Sequence, residues 1–448
     1  MAISLLGFAA VLILAFLRLP IAFAMGLVGT IGFAALNNWN WKSSLSPAAG
    51  TVLDTLQTES LSVIPLFILM GMLVSRAGLA SDLYRASNAF LGHRKGGLSM
   101  ATIVACGGFS AICGSSLATA ATMSKVAMPE MRRFGYTDQL ATASIAAGGT
   151  LGILIPPSVI LIIYGIMTEQ SIDKLFLAGI IPGTLGVLLY LAAVQWVVWR
   201  NPEAGPAGYR TRWSERLTAL GQVWAIGLLF VAILGGIYLG IYTVTEAAGI
   251  GAGGALLIAL FRGQLTLSSL AEALTETVKT TAMLFAVLIG AQIFQRFIVR
   301  AGMPDDLLAF VTGFDVAPLT VIFLILLVYI ILGCVFESLS MLLLTVPVFA
   351  PLVAELGLFP GYEGTQAAEV SLIWFGIIVV VVTEISLITP PVGLNVFVLK
   401  GVLGDVSTGT IFKGVTPFWI ADLFRLLLLV LVPTLVLVIP LSMKPFAG

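Results

Sequence analysis

Long apolar runs interrupted by few charges dominate this sequence. Of the 448 residues, 59% are hydrophobic and only 10% are charged, and 22 Lys+Arg balance 22 Asp+Glu. Soluble domains contain about 25% charged residues. A chain of this composition has no polar shell with which to face water, so it must be solvated largely by lipid. We therefore predict an all-α polytopic membrane protein embedded in a lipid bilayer.

The same composition disfavours several functions. No basic patch stands out from the neutral balance, which speaks against nucleic-acid binding. Cys106, Cys113 and Cys334 lie in apolar stretches without CxxC spacing, so they predict neither a disulfide framework nor a zinc site. With His93 as the lone histidine and no paired acidic motif, an intramembrane enzyme is a weak alternative. A purely structural membrane scaffold is another.

A transmembrane helix needs about 20 mostly apolar residues. The segments that meet or approach this requirement are 3–17, 20–36, 58–75, 98–128, 138–165, 176–199, 218–240, 243–261, 278–299, 317–351, 370–400 and 416–441. The first is short and could be continuous with the second, bent at Arg18 and Pro20. The remaining stretches, such as 37–57, 76–97, 200–217 and 262–277, are expected to be polar connections.

Lys and Arg mark the cytoplasmic side of a membrane protein. We place loop 200–217 in the cytoplasm. We treat 98–128 and 317–351 as re-entrant hairpins, each of which enters and leaves the membrane on the same side. The inside then holds Arg18, Arg76, Arg85, Arg94, Lys95, Arg132, Arg133, Arg200, Arg210, Arg212, Arg216, Arg262, Lys279, Lys400 and Lys413. The outside holds Lys42, Lys174, Arg296, Arg300 and Lys444. If either hairpin were a single membrane crossing, the basic residues would no longer gather on one side. The topology with two hairpins also puts both termini outside.

The two halves of the chain share landmarks in the same order. A hairpin motif at 114–116 leads to Pro129, as 336–338 leads to Pro351. A Pro-Pro pair follows in each half, at 156–157 and at 390–391. Two inverted repeats with interrupted helices are typical of secondary transporters, whose substrate site lies near the membrane midplane. Chance similarity between apolar segments is the alternative.

Polar groups gather at these landmarks in the first half. Ser115 and Ser116 mark a turn whose carbonyls and hydroxyls could replace the water shell of a hard cation, although small residues also serve simply to pack helices. Pro156 and Pro157 should break a helix, leaving the carbonyls of 149–155 free for a cation. Ser158 would cap the following half-helix, whose N-terminus favours an anion. A simple kink is the alternative.

The second half supplies a matching set. Glu337, Ser338 and Ser340 mark its hairpin tip, and a second break runs from Thr383 to Asn395. Carboxylates inside a membrane are costly and usually functional. Glu337 could be a cation ligand or a helix cap. Glu384 could instead be paired structurally, for example with Lys125, which could also neutralise an anionic substrate.

At these residues the sequence resembles the large membrane subunit of tripartite ATP-independent periplasmic (TRAP) transporters, a dicarboxylate-type permease family. The resemblance extends over essentially the whole chain. It is carried by IPLFILMG (64–71), GSSLATAAT (114–122), PEMRRFGY (129–136), AAGGTLGILIPPS (146–158), LFLAGIIPG (175–183), YTVTEAA (242–248), GCVFESLSMLLLTVPVFAP (333–351) and ITPPVGLNVFV (388–398).

The resemblance implies a Na⁺-driven importer of organic anions in the bacterial inner membrane rather than an enzyme, and the charge pattern then puts both termini in the periplasm. It implies an elevator mechanism in which a transport domain slides against a fixed scaffold. Scaffold helices would occupy 1–97 and 218–316, hairpins and broken helices 98–199 and 317–448, and a cytoplasmic linker 200–217. A small four-helix membrane subunit and a periplasmic substrate-binding protein would be separate partner chains. A stand-alone Na⁺/dicarboxylate symporter or anion exchanger is the alternative within transport.

The resemblance also assigns site residues. One Na⁺ site would use Ser115, Ser116, Gly149 and Gly152, and the second Glu337, Ser338, Thr383, Thr389 and Gly393. Substrate would lie between the hairpin tips, near Ser116, Thr119, Pro157, Ser340 and Asn395.

Overall fold

Every regular element in the described part of the chain is helical. The structure, a computed structural model, describes residues 2–314, 316–334 and 336–443. The first half contains α1 (Ala2–Phe16), α2 (Ile21–Leu36), α3 (Trp41–Gln57), α4 (Val63–Arg76), α5 (Leu79–Leu91), α6 (Gly97–Cys113), α7 (Ser116–Arg133), α8 (Asp138–Thr150), α9 (Val159–Thr168) and α10 (Ile172–Arg200). The prediction of an all-α protein is confirmed. Lys444, which the charge pattern places outside, and Val335 of the second hairpin lie outside the described residues.

The second half continues in the same manner. It contains α11 (Trp213–Gln222), α12 (Trp224–Tyr238), α13 (Val244–Phe261), α14 (Leu267–Arg300), α15 (Met303–Thr312), α16 (Pro318–Gly333), α17 (Ser338–Glu355), α18 (Gly364–Ser386), α19 (Leu394–Leu403), α20 (Thr408–Leu431) and α21 (Thr434–Ser442). Short 3₁₀ turns cover Glu59–Ser62, Leu151–Ile153 and Pro202–Ala204.

Seven described helices are long and apolar enough to cross a membrane, counting the turn before α4 with that helix, and α11 with α12 would make an eighth across a 51° bend. The seven are Glu59–Arg76, α10, α13, α14, α17, α18 and α20. By contrast α6, α9, α16 and α19 have only 10–17 residues. At 1.5 Å per residue they reach at most about 26 Å, short of a hydrocarbon core of about 30 Å. Each of these four adjoins a predicted hairpin turn or helix break.

Several predicted connections are helical instead. Residues 37–57 contain α3, whose first turn is capped by the Asn40 side chain, an acceptor for Ser43 N at 3.3 Å. Residues 262–277 contain the start of α14, capped by Thr266. Such caps satisfy backbone N–H groups that a helix start leaves free, so polar sequence there does not prevent a helix. The open question at the N-terminus is also answered, because Arg18 adopts a left-handed φ of 68° and separates α1 from α2.

Helices from the two halves of the chain pack directly on one another. α2 packs against α14, and α4 against α13. Glycines permit the close approach of α2 and α14: a Cβ atom added at Gly29 would lie 2.8 Å from Phe294 Cα, and one at Gly290 would lie 2.2 Å from Ala22 O. In lipid the hydrophobic effect does not drive helices together. Small residues at such crossings instead let the helices approach closely enough for van der Waals contacts to stabilise their packing.

The Gly290→Ala variant tests this crossing. Its methyl group must push α14 away from the α2 backbone, and overpacking of this kind costs about 1–3 kcal/mol. We expect the thermal unfolding midpoint of the purified protein to fall by several degrees. Gly253→Ala on α13 is the matched control, because Gly253 is exposed and an added Cβ meets nothing within 4 Å. Equal midpoints for the two variants would contradict close α2–α14 packing.

Candidate functional site

The first hairpin turns within two residues. α6 ends at Cys113 and α7 begins at Ser116, with Gly114 in the left-handed region at φ 61° and Ser115 extended. The Ser115 hydroxyl accepts the N–H of Ala118 at 3.4 Å and so caps α7. The Thr119 hydroxyl in turn donates to Ser115 O at 2.8 Å. Local hydrogen bonds that involve Ser115 and Thr119, both predicted site residues, thus hold the turn in place.

The first Pro-Pro pair interrupts a helix as its sequence predicts. α8 ends at Thr150, a 3₁₀ turn follows, and α9 begins only at Val159. The Ser158 hydroxyl accepts the N–H of Leu161 at 3.3 Å, as expected of a helix cap, and also bonds the carbonyl of Ile153. Because Ser158 is fully buried, this half-helix start faces protein rather than water.

Hairpin turn and helix break lie against each other. A Cβ atom added at Gly152 would lie 3.0 Å from Ser115 O, and one added at Gly149 would lie 3.2 Å from Ser116 O. The Ser116 hydroxyl donates to the carbonyl of Thr150 at 3.4 Å. All four residues predicted for the first cation site are therefore neighbours, and only glycine allows the two backbones to come this close.

Asn395 connects the two breaks. It stands in the first turn of α19, yet its side-chain Nδ2 donates across to the carbonyl of Ala146 on α8 at 2.9 Å. A Cβ atom at Gly149 would lie 3.2 Å from the same nitrogen. Asn395 is fully buried, and its Oδ1 has no hydrogen-bond partner among the described residues. The structure thus places this residue, predicted for substrate, beside the first candidate cation site.

The second break has its own hydrogen bonds. α18 ends at Ser386, whose hydroxyl donates to the carbonyl of Thr383 at 2.6 Å. The Thr383 hydroxyl donates back to Val379 O within the helix. The Thr389 hydroxyl accepts from Trp419 Nε1 at 2.9 Å, and a Cβ atom at Gly393, where φ is 59°, would lie 3.3 Å from Thr389 O.

The second hairpin tip is more open than the first. Glu337 immediately precedes α17 and is exposed, and the Ser340 hydroxyl donates to its Oε2 at 3.3 Å. Ser338, the first residue of α17, is buried. On the other side of the turn Gly333 packs against Ser386, because a Cβ added there would lie 2.2 Å from Ser386 Cβ. The tip of the second hairpin therefore touches the end of α18.

Both hairpin tips open into one cavity of about 320 Å³. Its polar lining includes Ser115 and Ser116 from the first tip and Glu337 and Ser338 from the second. Its other walls come from α4, α14 and the two breaks, and include Gly71, Ser75, Ile153, Val159, Thr280, Met283 and Leu387. The cavity therefore lies where both hairpins, both breaks and two long helices meet.

The predicted substrate residues divide around this cavity. Ser116 lines it, whereas Ser340 lines a neighbouring opening together with Phe16 and Glu337. Thr119 is buried and bonded to Ser115 O, and Asn395 is turned toward α8. Pro157 is also buried, with its carbonyl 3.1 Å from a Cβ position at Gly114. These last three support the walls of the site and do not line the cavity.

Sequence reasoning missed one polar cluster. Glu384 pairs with Arg425 of α20 at 2.5 Å, and both are fully buried. The suggested pairing with Lys125 is therefore wrong, because Lys125 is exposed on α7. The spacing of Asp422 and Arg425 could have indicated this cluster. The two residues are three positions apart in one apolar segment, so they lie on the same face of a helix.

Uncharged oxygen atoms are the main potential ligands in the candidate cation sites. Across residues 2–314, 316–334 and 336–443, no group of three or more His, Cys, Asp or Glu side chains is placed to hold a metal ion. Backbone carbonyls and hydroxyls such as those at 115–116 and 149–152 suit hard cations, which prefer oxygen ligands.

Known proteins resemble this chain over nearly its whole length. Residues 8–435 match the family model described as the Tripartite ATP-independent periplasmic transporter, DctM component. The C4-dicarboxylate TRAP transporter large permease protein DctM of Pseudomonas aeruginosa is 36% identical over 89% of this chain and 90% of its own. The sialic acid TRAP transporter large permease protein SiaM of Vibrio cholerae is 31% identical over 95% and 96%, respectively.

The fold also has a solved counterpart. The crystal structure of the Alcanivorax borkumensis YdaH transporter superposes with a TM-score of 0.60, covering 87% of this chain and 89% of that one, at 17% sequence identity. At that identity the likeness concerns the fold alone. The family model and the relatives above 30% identity go further: the chain belongs to the TRAP transporter family as a large permease (DctM) component and is a transporter, not an enzyme.

Proposed function

We propose that this permease imports an organic anion, a carboxylate, by coupling its entry to that of Na⁺. The observation that carries the proposal is the shared cavity, because it brings both hairpin tips and both helix breaks to one place. Relatives are named for C4-dicarboxylates and for sialic acid, which all carry carboxylate groups. Broken helices around a central site are the recurrent plan of secondary transporters.

Two helix N-termini support an anionic substrate. α7 begins at Ser116 and α17 at Ser338, and the first-turn residues Leu117, Ala118 and Leu339 line the cavity beside them. Free N–H groups and the helix dipole at such ends favour negative charge. A carboxylate in the cavity would thus face two half-helix starts. This arrangement needs no Lys or Arg in the cavity lining.

Na⁺ would be held on either side of that cavity. The first site would use the 115–116 turn with the carbonyls around Gly149 and Gly152, which already lie together. The second would use Glu337 and Ser338 with the break that contains Thr383, Thr389 and Gly393. Entry of Na⁺ down its gradient is a sufficient energy source, since each charge crossing 100 mV releases about 2.3 kcal/mol.

An elevator movement would carry the site across the membrane. The hairpins and broken helices of 98–199 and 317–448 would move against helices of 1–97 and 218–316. The helices that would slide past each other are in close contact, because a Cβ atom at Gly71 of α4 would lie 3.1 Å from Ile112 O and 3.2 Å from Cys113 Cα. The 200–217 segment would connect the two repeats on the cytoplasmic side.

Ion pairs support the predicted division of the loops between two sides of the membrane. Arg76 reaches Glu272 at 2.8 Å, and Arg132 reaches Asp405 at 2.7 Å. Both pairs join residues that the charge pattern puts in the cytoplasm. The pairs Lys174–Glu369 and Arg296–Asp54 join residues that it puts outside. With this assignment both termini are periplasmic. Membership of a tripartite family implies a small four-helix membrane subunit and a periplasmic substrate-binding protein as partners.

Reconstitution tests the proposal. The permease would be placed in liposomes with its small subunit and binding protein, and uptake of radiolabelled C4-dicarboxylates and sialic acid would be measured. We expect accumulation only with an inward Na⁺ gradient, and faster uptake at a negative internal potential if two Na⁺ enter with a monoanion. Equal uptake after K⁺ replaces Na⁺ would contradict coupling. Uptake without the binding protein would point instead to a stand-alone symporter.

Single substitutions test the two cation sites. Ser115→Ala removes a hydroxyl and a cap worth about 0.5–2 kcal/mol, and Thr383→Ala removes the hydroxyl that donates to Val379 O in the last turns of α18, before the second break. We expect each to raise the half-saturating Na⁺ concentration of uptake several-fold. Ser124→Ala is the matched control, because the buried Ser124 hydroxyl donates to Ala121 O within the same helix as the first tip. Unchanged Na⁺ dependence in both site variants, with folding intact, would refute the assignments.

A further inference from the structure

Four polar side chains form a buried cluster between α10, α18 and α20. Arg425 Nη2 donates to Glu384 Oε2 at 2.5 Å and lies 2.9 Å from Asp422 Oδ1. Asp422 Oδ2 lies 2.5 Å from the Tyr190 hydroxyl. All four side chains are fully buried. Space for the guanidinium comes from Gly186, where an added Cβ would lie 2.1 Å from Arg425 Nη1.

The charges of this cluster do not balance if both acids are ionised. Two carboxylates would then face one guanidinium, leaving one net negative charge inside the membrane, where an uncompensated charge is expensive. The ionisable groups that face Asp422 are Tyr190 from α10, Glu384 from α18 and Arg425 from its own helix. α8 and α19 also pack against α20, but among the described residues they bring no charged group to Asp422. One additional proton would make the cluster neutral.

Hydrogen counting locates that proton. The Thr150 hydroxyl contacts Ala147 O at 2.8 Å and the Tyr190 hydroxyl at 2.9 Å, and Tyr190 in turn contacts Asp422. These three oxygen–oxygen contacts need three hydrogens, but the two hydroxyls supply only two. All three are hydrogen bonds only if Asp422 supplies the third: Asp422 donates to Tyr190, Tyr190 to Thr150, and Thr150 to Ala147 O.

We propose that Asp422 is a proton-binding site, occupied at neutral pH, and that Glu384 alone forms the ion pair with Arg425. Charge balance and hydrogen counting lead independently to the same state. The neutral chain from Asp422 through Tyr190 ends at Thr150, whose carbonyl accepts the Ser116 hydroxyl at 3.4 Å. The bound proton therefore completes a hydrogen-bonded connection from α20 to the first hairpin tip.

Infrared spectroscopy of the purified full-length protein in lipid nanodiscs tests the site without reference to Na⁺ or transport. At pH 7 we expect a carboxylic-acid C=O band that shifts in D₂O and is lost in Asp422→Asn. Glu337→Gln, which alters the carboxylate at the cavity, is the control and should retain it. An unchanged spectrum in Asp422→Asn would overturn the proposal, as would a band that Glu384→Gln removes and Asp422→Asn leaves.

Tyr190→Phe keeps the test decisive if Asp422→Asn fails to fold. Loss of the acceptor hydroxyl should move the acid band to higher frequency without abolishing it, and an unmoved band would place the proton elsewhere.

Thermal unfolding provides a second readout. The unfolded chain releases this proton at pH 7, where a free aspartate is ionised, so the folded state binds one proton more. Above the pKa of a free aspartate, about 3.9, and for as long as folded Asp422 keeps its proton, the stability of wild type relative to Asp422→Asn should therefore fall as pH rises, by tenfold in the folding equilibrium constant per unit. Parallel pH profiles for the two proteins would contradict a bound proton.

Discussion

Backbone groups freed inside a bilayer must find partners within the protein, and the site depends on this constraint. No water is present in the hydrocarbon core to satisfy a free carbonyl or N–H, so irregular backbone at that depth survives only when protein or a wet cavity covers it. The Pro-Pro pairs at 156–157 and 390–391 create such backbone twice. Each break is covered by a hairpin tip, with Gly152 against Ser115 in the first half of the chain and Ser386 against Gly333 in the second half.

Because the breaks are covered in this way, the proposed binding of ions in the cavity requires few charged side chains. A cavity that collects two helix starts, two sets of carbonyls and a few hydroxyls can hold ions of both signs without a buried lysine or a cluster of acids. Glu337 is the charged side chain that lines the cavity. The fully buried side chains Glu384, Asp422 and Arg425 lie outside this lining, in a cluster that joins α18 to α20.

Local features could be predicted from the sequence, and distant pairings could not. The breaks at 156–157 and 390–391 and the tip at 114–116 are determined by the chemistry of proline, glycine and serine at those positions, so they lie where the sequence indicates. The partner of Glu384 is 41 residues away and that of Asn395 is 249 residues away. Such contacts depend on how helices from both halves of the chain pack together. The residues next to Glu384 or Asn395 in the sequence do not reveal that packing. Residues 37–57 were misread because capped amphipathic helices resemble polar loops in composition.

Binding of Na⁺ at the covered breaks should stabilise the folded protein, and thermal unfolding measures that stabilisation without substrate or partner proteins. The thermal unfolding midpoint of the purified permease would be measured in increasing NaCl, with KCl holding ionic strength constant and no substrate present. A ligand that binds only the folded state stabilises it in proportion to the logarithm of its concentration above Kd. We expect a midpoint that rises with Na⁺ in this way. A midpoint that is the same in NaCl and KCl at every concentration would contradict it.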